Sequence, residues 1–214
     1  MHWLMYFLLE ATIFIALTNV LNAQEVIKLP EPDKTGGIPL MQAINERHSA
    51  RNFVDKALTE QQLSELLWVA YGINRPESGK HTIPTSRNRQ DIEVYIASWD
   101  GVFKYQPEEH ALLLISNKDK REISGMQDFV KDAAVNLIYV SDFDKLGDSS
   151  DDIKTMTAAT HCGFIGQNVY LYCASEGLIS VFRAMIDKEK AAELLQLKGN
   201  KHVIYSQSVG YAEK

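Results

Sequence analysis

Two apolar runs of strand length, Ala111 to Ile115 and Ala133 to Val140, constrain this chain most. Such runs have no solvated face, which predicts central strands covered on both sides of a sheet. The covering layers must come from helices elsewhere in the chain. Thr59 and Gln62 form a capping box ahead of Leu63, Leu66, Leu67, Ala70 and Tyr71 on one face, with Gly72 as the stop. Pro39 suits a first helical position, and Leu40, Ala43, Ile44 and Arg47 follow with helical spacing. The longest helix is predicted over Ile153 to Glu176, and a short one over Arg121 to Lys131. Ile92, Val94 and Ile96 alternate with Glu93, Tyr95 and Ala97, and Asp100-Gly101 supplies a tight turn into Val102 to Tyr105. Strand Leu178 to Phe182, a helix capped by Asp187 and a last strand Val203 to Val209 complete an α+β pattern.

At 214 residues, 45% hydrophobic and 23% charged, the chain can bury a sizeable core as one domain. Its net charge of −6 argues against general nucleic-acid binding, which needs a basic face. Residues 1–23 read as an export signal: Leu4 to Leu21 is largely apolar and ends in Leu21-Asn22-Ala23, a small-residue cleavage site. No Lys or Arg precedes that run and Glu10 interrupts it, so an uncleaved membrane anchor, or an extension read from the wrong start codon, stays open. A working signal implies an exported or periplasmic protein, and its absence a cytoplasmic one. Residues 24–37, with Pro30, Pro32 and Gly36-Gly37, read as a flexible lead-in to a domain over residues 38–214. Cys162 and Cys173 stand about 16 Å apart along one helix, too far for a disulfide, and read as buried packing residues.

The chemistry begins at Arg47-His48-Ser49-Ala50-Arg51. In an extended chain the side chains at i, i+2 and i+4 point the same way, so Arg47, Ser49 and Arg51 can converge on one anion. Guanidiniums fit phosphate oxygens with paired hydrogen bonds, and the serine adds a neutral donor. Taken alone, these five residues are equally compatible with a solvated basic turn. Arg75, Lys80, Arg87 and Arg89 against Glu77 form a further basic stretch, suited to cofactor or nicotinamide-nucleotide phosphates or simply to a solvated loop.

Together with Pro84-Thr85-Ser86-Arg87-Asn88-Arg89-Gln90 and Gly177 to Asp187, the Arg47–Arg51 stretch resembles the nitroreductase family of FMN-dependent oxidoreductases, in order and spacing over roughly residues 38–211. The resemblance implies that family's sandwich: a central, mostly antiparallel sheet flanked by helices, in a homodimer. By the same resemblance Arg47, Ser49 and Arg51 hold the FMN phosphate and ribityl chain, with His48 alongside. Pro84, Thr85, Ser86 and Asn88 reach the flavin of the partner subunit, Asn88 at the pyrimidine edge. Phe182, Arg183 and Ala184 form the loop whose backbone N–H approaches flavin N5. Two departures stand out. Arg183 occupies a loop that is often Pro-rich or acidic in the family, where a guanidinium beside the flavin would favour its anionic reduced form or an acidic substrate. The family also commonly ends in an arm with another basic phosphate ligand, whereas this sequence ends at Gly210-Tyr211-Ala212-Glu213-Lys214.

The implied activity is transfer of hydride from NADH or NADPH to FMN and of electrons onward to a nitroaromatic, quinone or similar small-molecule acceptor, in alternating half-reactions. Two other readings stay open. One is a flavin-dependent dehydrogenase similar to those that oxidise azolines in modified peptides, given Asn74-Arg75-Pro76; the other is a flavin-binding protein without turnover. An exported location would weigh against nicotinamide use. Ala159, Gly163 and Gly166 form a small-residue stripe on the long helix, which predicts a close helix crossing at the dimer interface or within the chain. The acidic segment Asp142 to Asp152 lacks a calcium-loop ligand pattern, with Leu146 and Ile153 at ligand positions, and His161-Cys162 has no spaced metal partners.

Overall fold

The computed structural model describes residues 25–213, so the signal or anchor reading of residues 1–23 lies outside the described residues. The ten strands are β1 (Val26–Lys28), β2 (Phe53–Val54), β3 (Ile73–Arg75), β4 (Lys80–His81), β5 (Ile92–Ser98), β6 (Gly101–Gln106), β7 (Ala111–Ser116), β8 (Val135–Asp142), β9 (Ile179–Arg183) and β10 (Lys201–Ala212). Among the described residues four α-helices accompany them: α1 (Leu40–Glu46), α2 (Glu60–Tyr71), α3 (Asp151–Ser175) and α4 (Lys188–Leu194). An eight-stranded antiparallel sheet runs β1-β7-β6-β5-β8-β10-β2, with β9 also paired to β10; β3 and β4 form a separate small ribbon.

β8 shows why a continuous apolar run belongs in the middle. Leu137 and Tyr139 enter a core with Leu66, Leu67, Ala158 and Ile165 of α2 and α3. Ile138 and Val140 enter a second core on the opposite face, with Ala191 and Leu195 at α4. Period-two alternation therefore serves both layers at once. β7, the other apolar run, lies beside the edge strand and is half-exposed along its second half.

The predicted caps and turns hold at α2, where Thr59 and Gln62 exchange both capping-box bonds, and at the Ser98–Gly101 reversal between β5 and β6. Three segments differ. The lead-in is not free, because Val26–Lys28 pairs with β7 and Pro30 C=O accepts the Ser64 hydroxyl. The predicted Arg121–Lys131 helix is two 3-10 turns, Arg121–Ser124 and Asp128–Lys131, separated at Gly125. A Cβ at Gly125 would collide with the Arg183 guanidinium, so the chain must turn there on a residue without one. The small-residue stripe is not one surface: Gly166 faces inward under Phe182, Ala159 packs on the core, and Gly163 faces open space.

Candidate active site

The Arg47–Arg51 stretch is extended, as the alternation argument requires. Arg47 ends α1 with ψ 122°, and Ser49 forms a parallel bridge with Ser180 on the free edge of β9, where Ala50 N–H donates to Ser180 C=O at 3.1 Å. Two residues along that edge, Phe182 N–H donates to the Tyr170 hydroxyl at 2.8 Å. The same hydroxyl lies 2.7 Å from Ser49 Oγ, and the Arg47 guanidinium stands 5.2 Å from the Tyr170 ring centroid. Either hydroxyl can donate in the Ser49–Tyr170 bond; when Tyr170 donates, the Ser49 proton is free for an outside acceptor. Ser49, His48 and Arg51 are exposed, and His48 Nδ1 turns back to Glu46 C=O at 2.9 Å. Tyr170 is the hub of this cluster. Its sequence surroundings, a tyrosine within a long helix, give no signal of that role.

The Pro84–Gln90 loop is built differently. Arg87, Asn88 and Gln90 all adopt positive φ, at 53°, 55° and 48°, a conformation that costs a non-glycine residue about 1–2 kcal/mol. Local bonds offset that cost: Gln90 N–H donates to Thr85 Oγ1 at 3.0 Å, and Gln90 Nε2 to Gly79 C=O at 2.8 Å. Beneath them Ser86 N–H donates to His161 Nε2 at 2.8 Å. That nitrogen is an acceptor, so the ring proton sits on Nδ1 and is donated to Asp91 Oδ1 at 2.7 Å. Ser141 donates to Asp91 Oδ2, also at 2.7 Å. Burial alone would raise the Asp91 carboxyl; the bonds from His161 and Ser141 outweigh it and hold the group below its ordinary range. Asp91 and His161 were not in the predicted set, because 70 and 75 residues separate His161 from its two partners. Pro84, Ser86 and Asn88 are exposed on the surface that this network supports.

Nine residues of α3 separate Tyr170 from His161, about 14 Å along the axis. A single chain therefore carries the Arg47–Ser49 cluster and the Ser86–Asn88 loop as two separate half-sites. At the first of these, Phe182 packs its ring against Tyr205 and Tyr139, centroids 4.9 and 5.9 Å away, and lies so close to Gly166 that a Cβ there would be 2.5 Å from it. Arg183 corrects the expectation of a guanidinium beside the flavin. It follows Phe182 in a strand, so it points to the other face, where it is 5% exposed. Its Nη1 donates to Ser124 C=O at 3.0 Å, and its Nη2 to Asn136 Oδ1 at 3.2 Å and Ser208 Oγ at 2.9 Å. Burial pushes this guanidinium down to about 10, leaving it charged at neutral pH. Ala184, the next residue, is exposed.

A groove of about 580 Å³ between α1, α2 and α3 contains none of these predicted residues. Among the described residues no group of three His, Cys, Asp or Glu side chains is placed to hold a metal ion. Cys162 and Cys173 are free and buried, and burial raises both thiols. No helix among the described residues is long and apolar enough to cross a membrane.

An antiparallel sheet between helical layers, with an Arg-x-Ser-x-Arg segment on the free edge of β9, defines an α+β sandwich. The model of the nitroreductase family matches residues 44–211, and the chain belongs to that family. A curated protein of Methanocaldococcus jannaschii with a provisional nitroreductase name is 28% identical over 182 residues, covering 80% of this chain and 90% of that one. A crystal structure from Ralstonia eutropha, again under a provisional nitroreductase name, is 37% identical with a TM-score of 0.84, covering 90% of this chain and 92% of that chain. The NADPH:FMN oxidoreductase of Vibrio harveyi, solved with NAD+, shares the fold at 18% identity and a TM-score of 0.60, covering 82% of this chain and 69% of that chain.

Proposed function

We propose that this chain is an FMN-dependent oxidoreductase that takes hydride from NADH or NADPH and reduces a nitroaromatic, quinone or similar small acceptor in alternating half-reactions. The observation that carries the reading is the cluster on the free edge of β9: two arginines and a serine on an extended segment, with the serine hydroxyl hydrogen-bonded to Tyr170, which also accepts from Phe182 N–H. This donor set suits a phosphate dianion, and an edge strand beside it offers backbone N–H groups to a planar ring. FMN, when bound, supplies the redox chemistry. The protein's part is to hold it by Arg47, Ser49 and Arg51, with His48 at the rim. Ser180 and Phe182 are already engaged along the β9 edge, so the next amide in that register, at exposed Ala184, is the donor left for flavin N5.

The site is completed by a second copy of the chain. α1 exposes Leu40, Met41 and Ile44, and α3 exposes Ile153, Met156 and Phe164, with Met41 74% and Met156 65% open. Apolar surface at this spacing on two helices asks for a cover, and a symmetric partner would bring its Pro84, Thr85, Ser86 and Asn88 toward this chain's clamp. Gly163 is the probe. A side chain there meets nothing within the chain, so Gly163→Leu should fold as a subunit yet lose assembly and flavin together. A dimeric, fully flavinated variant would place the interface elsewhere.

The deciding experiment is purification of the mature chain and titration with NADPH under anaerobic conditions. The expected protein is yellow, releases about one FMN per subunit and is bleached by NADPH. A colourless protein that rejects added FMN defeats the reading. A yellow protein that NADPH does not bleach is instead a peptide-azoline dehydrogenase or a flavin carrier.

A further inference from the structure

The basic residues between Tyr71 and Gln90 do not act as one patch. Arg75 is committed locally, its Nη2 donating to His81 C=O at 2.6 Å. Arg87 and Arg89 instead line a depression of about 170 Å³ together with Ser86, Ser149, Lys154 and Thr157. Lys154 and Thr157 belong to the first two turns of α3. Among the described residues none of the three cations has an ion-pair partner, although Asp148, Asp151 and Asp152 are close in sequence. Arg89 is half-buried and seated: its Nη2 would lie 3.0 Å from a Cβ at Gly147, whose φ of 74° also favours glycine. Three cations around one small depression repel one another until an anion enters, and the Ser86 and Ser149 hydroxyls add neutral donors, while Thr157 Oγ1 is committed to Ile153 C=O at 2.8 Å.

We propose that this depression binds a terminal phosphate monoester of the nicotinamide dinucleotide, the 2′-phosphate that distinguishes NADPH from NADH. The inference rests on the flavin oxidoreductase reading. A phosphate monoester carries close to two negative charges at neutral pH and three acceptor oxygens, which match the cations and hydroxyls present. A pyrophosphate link has ligand on both sides and does not end in a small depression. The location agrees, because Ser86 and Arg87 belong to the loop proposed to meet the partner's flavin, and Ile153 at the same rim belongs to the exposed apolar stripe of α3. A dinucleotide with its nicotinamide at the flavin would lay its adenosine end along this margin.

The test compares the holoprotein with Lys154→Gln and Arg89→Gln, reading flavin reduction by NADPH and by NADH, and binding of 2′,5′-ADP against 5′-ADP by calorimetry. The wild type should prefer NADPH and 2′,5′-ADP. Each lost cation should raise the NADPH KM and weaken 2′,5′-ADP at least tenfold, while NADH reduction and FMN content change less than twofold. Equal shifts for NADH and NADPH, or a wild type with no preference for 2′,5′-ADP, overturn the proposal. So does a variant that loses FMN but keeps riboflavin, which would assign the depression to the flavin phosphate. Arg89 packs on Gly147 and its variant could misfold; Lys154 is the control for that. Should the protein prove colourless, the calorimetric arm still reads the depression, separating failure of this inference from failure of the flavin reading.

Discussion

The C-terminal end and the middle of α3 hold their polar groups by opposite means. Near Tyr170 the groups are hydroxyls and surface arginines, joined to the fold by single hydrogen bonds and open to a ligand. Near His161 a buried carboxylate and imidazole sit beneath a loop with three left-handed residues, which presents Ser86, Arg87 and Asn88 at the surface. The first spends its donors on what binds there. The second spends them on its own conformation. A flexible clamp tolerates a loose frame because a charged ligand draws it together, whereas a loop that presents backbone to a flat ring must be rigid before the ring arrives.

That contrast can be broken most forcibly at His161. His161→Leu removes a partner of buried Asp91 and the acceptor of Ser86 N–H, and should cost about 3–5 kcal/mol of stability in urea unfolding. A variant as stable as the parent would show that the buried couple does not support the loop. Arg51→Ala should do the reverse, weakening FMN by about 1.5–3 kcal/mol while the unfolding midpoint and riboflavin affinity hardly move. Equal losses for FMN and riboflavin would make Arg51 structural and erase the distinction. Tyr170→Phe falls between, since it frees Ser49 and strands Phe182 N–H; about 1–3 kcal/mol of stability should go, with weaker flavin retention. Unchanged retention would remove Tyr170 from the clamp.

The smallest effect is on pH. Asp91 is held below its ordinary value of 3.8, so the unfolded chain takes up that proton at a higher pH than the native chain. Its contribution is therefore fully present above pH 3.8 and disappears as pH falls through the lower native value. Acid unfolding followed by circular dichroism should be shallower below pH 4 in Asp91→Asn than in the parent. Identical acid limbs would show that the carboxylate gains nothing from His161 and Ser141.

What could be read in the sequence was whatever is written in neighbouring residues. The Thr59–Gln62 box, the Asp100-Gly101 turn, the α3 span and the Arg-x-Ser-x-Arg alternation are all local, and all reappear in the fold. Tyr170, Asp91 and His161 were invisible for the opposite reason: each acts through a partner 70 to 121 residues away, and no spacing rule connects them. β1 has three residues, too few to show a period, so prolines and glycines dominated the reading of that segment. Arg183 was placed beside the flavin because a motif fixes order in the chain but not which side of a strand faces inward. Gly163 and Gly166 likewise share a helix and a spacing, yet only one lies under an aromatic ring.

β10 carries a last consequence. It pairs with β8 over Lys201–Val209 on one side and with β9 over Ser206–Gly210 on the other, while β2 joins at Tyr211 and Ala212. β8 and β9 do not pair with each other, so among the described residues the edge that seats Ser49 is attached to the sheet only through β10. During synthesis the nascent chain can close the β5–β6–β7–β8 antiparallel pairings early, but the β9–β10 ladder that carries this edge cannot form until residues 206–210 have emerged. A chain cut short before residue 206 therefore lacks the β9–β10 pairing that carries this edge, whatever the edge binds.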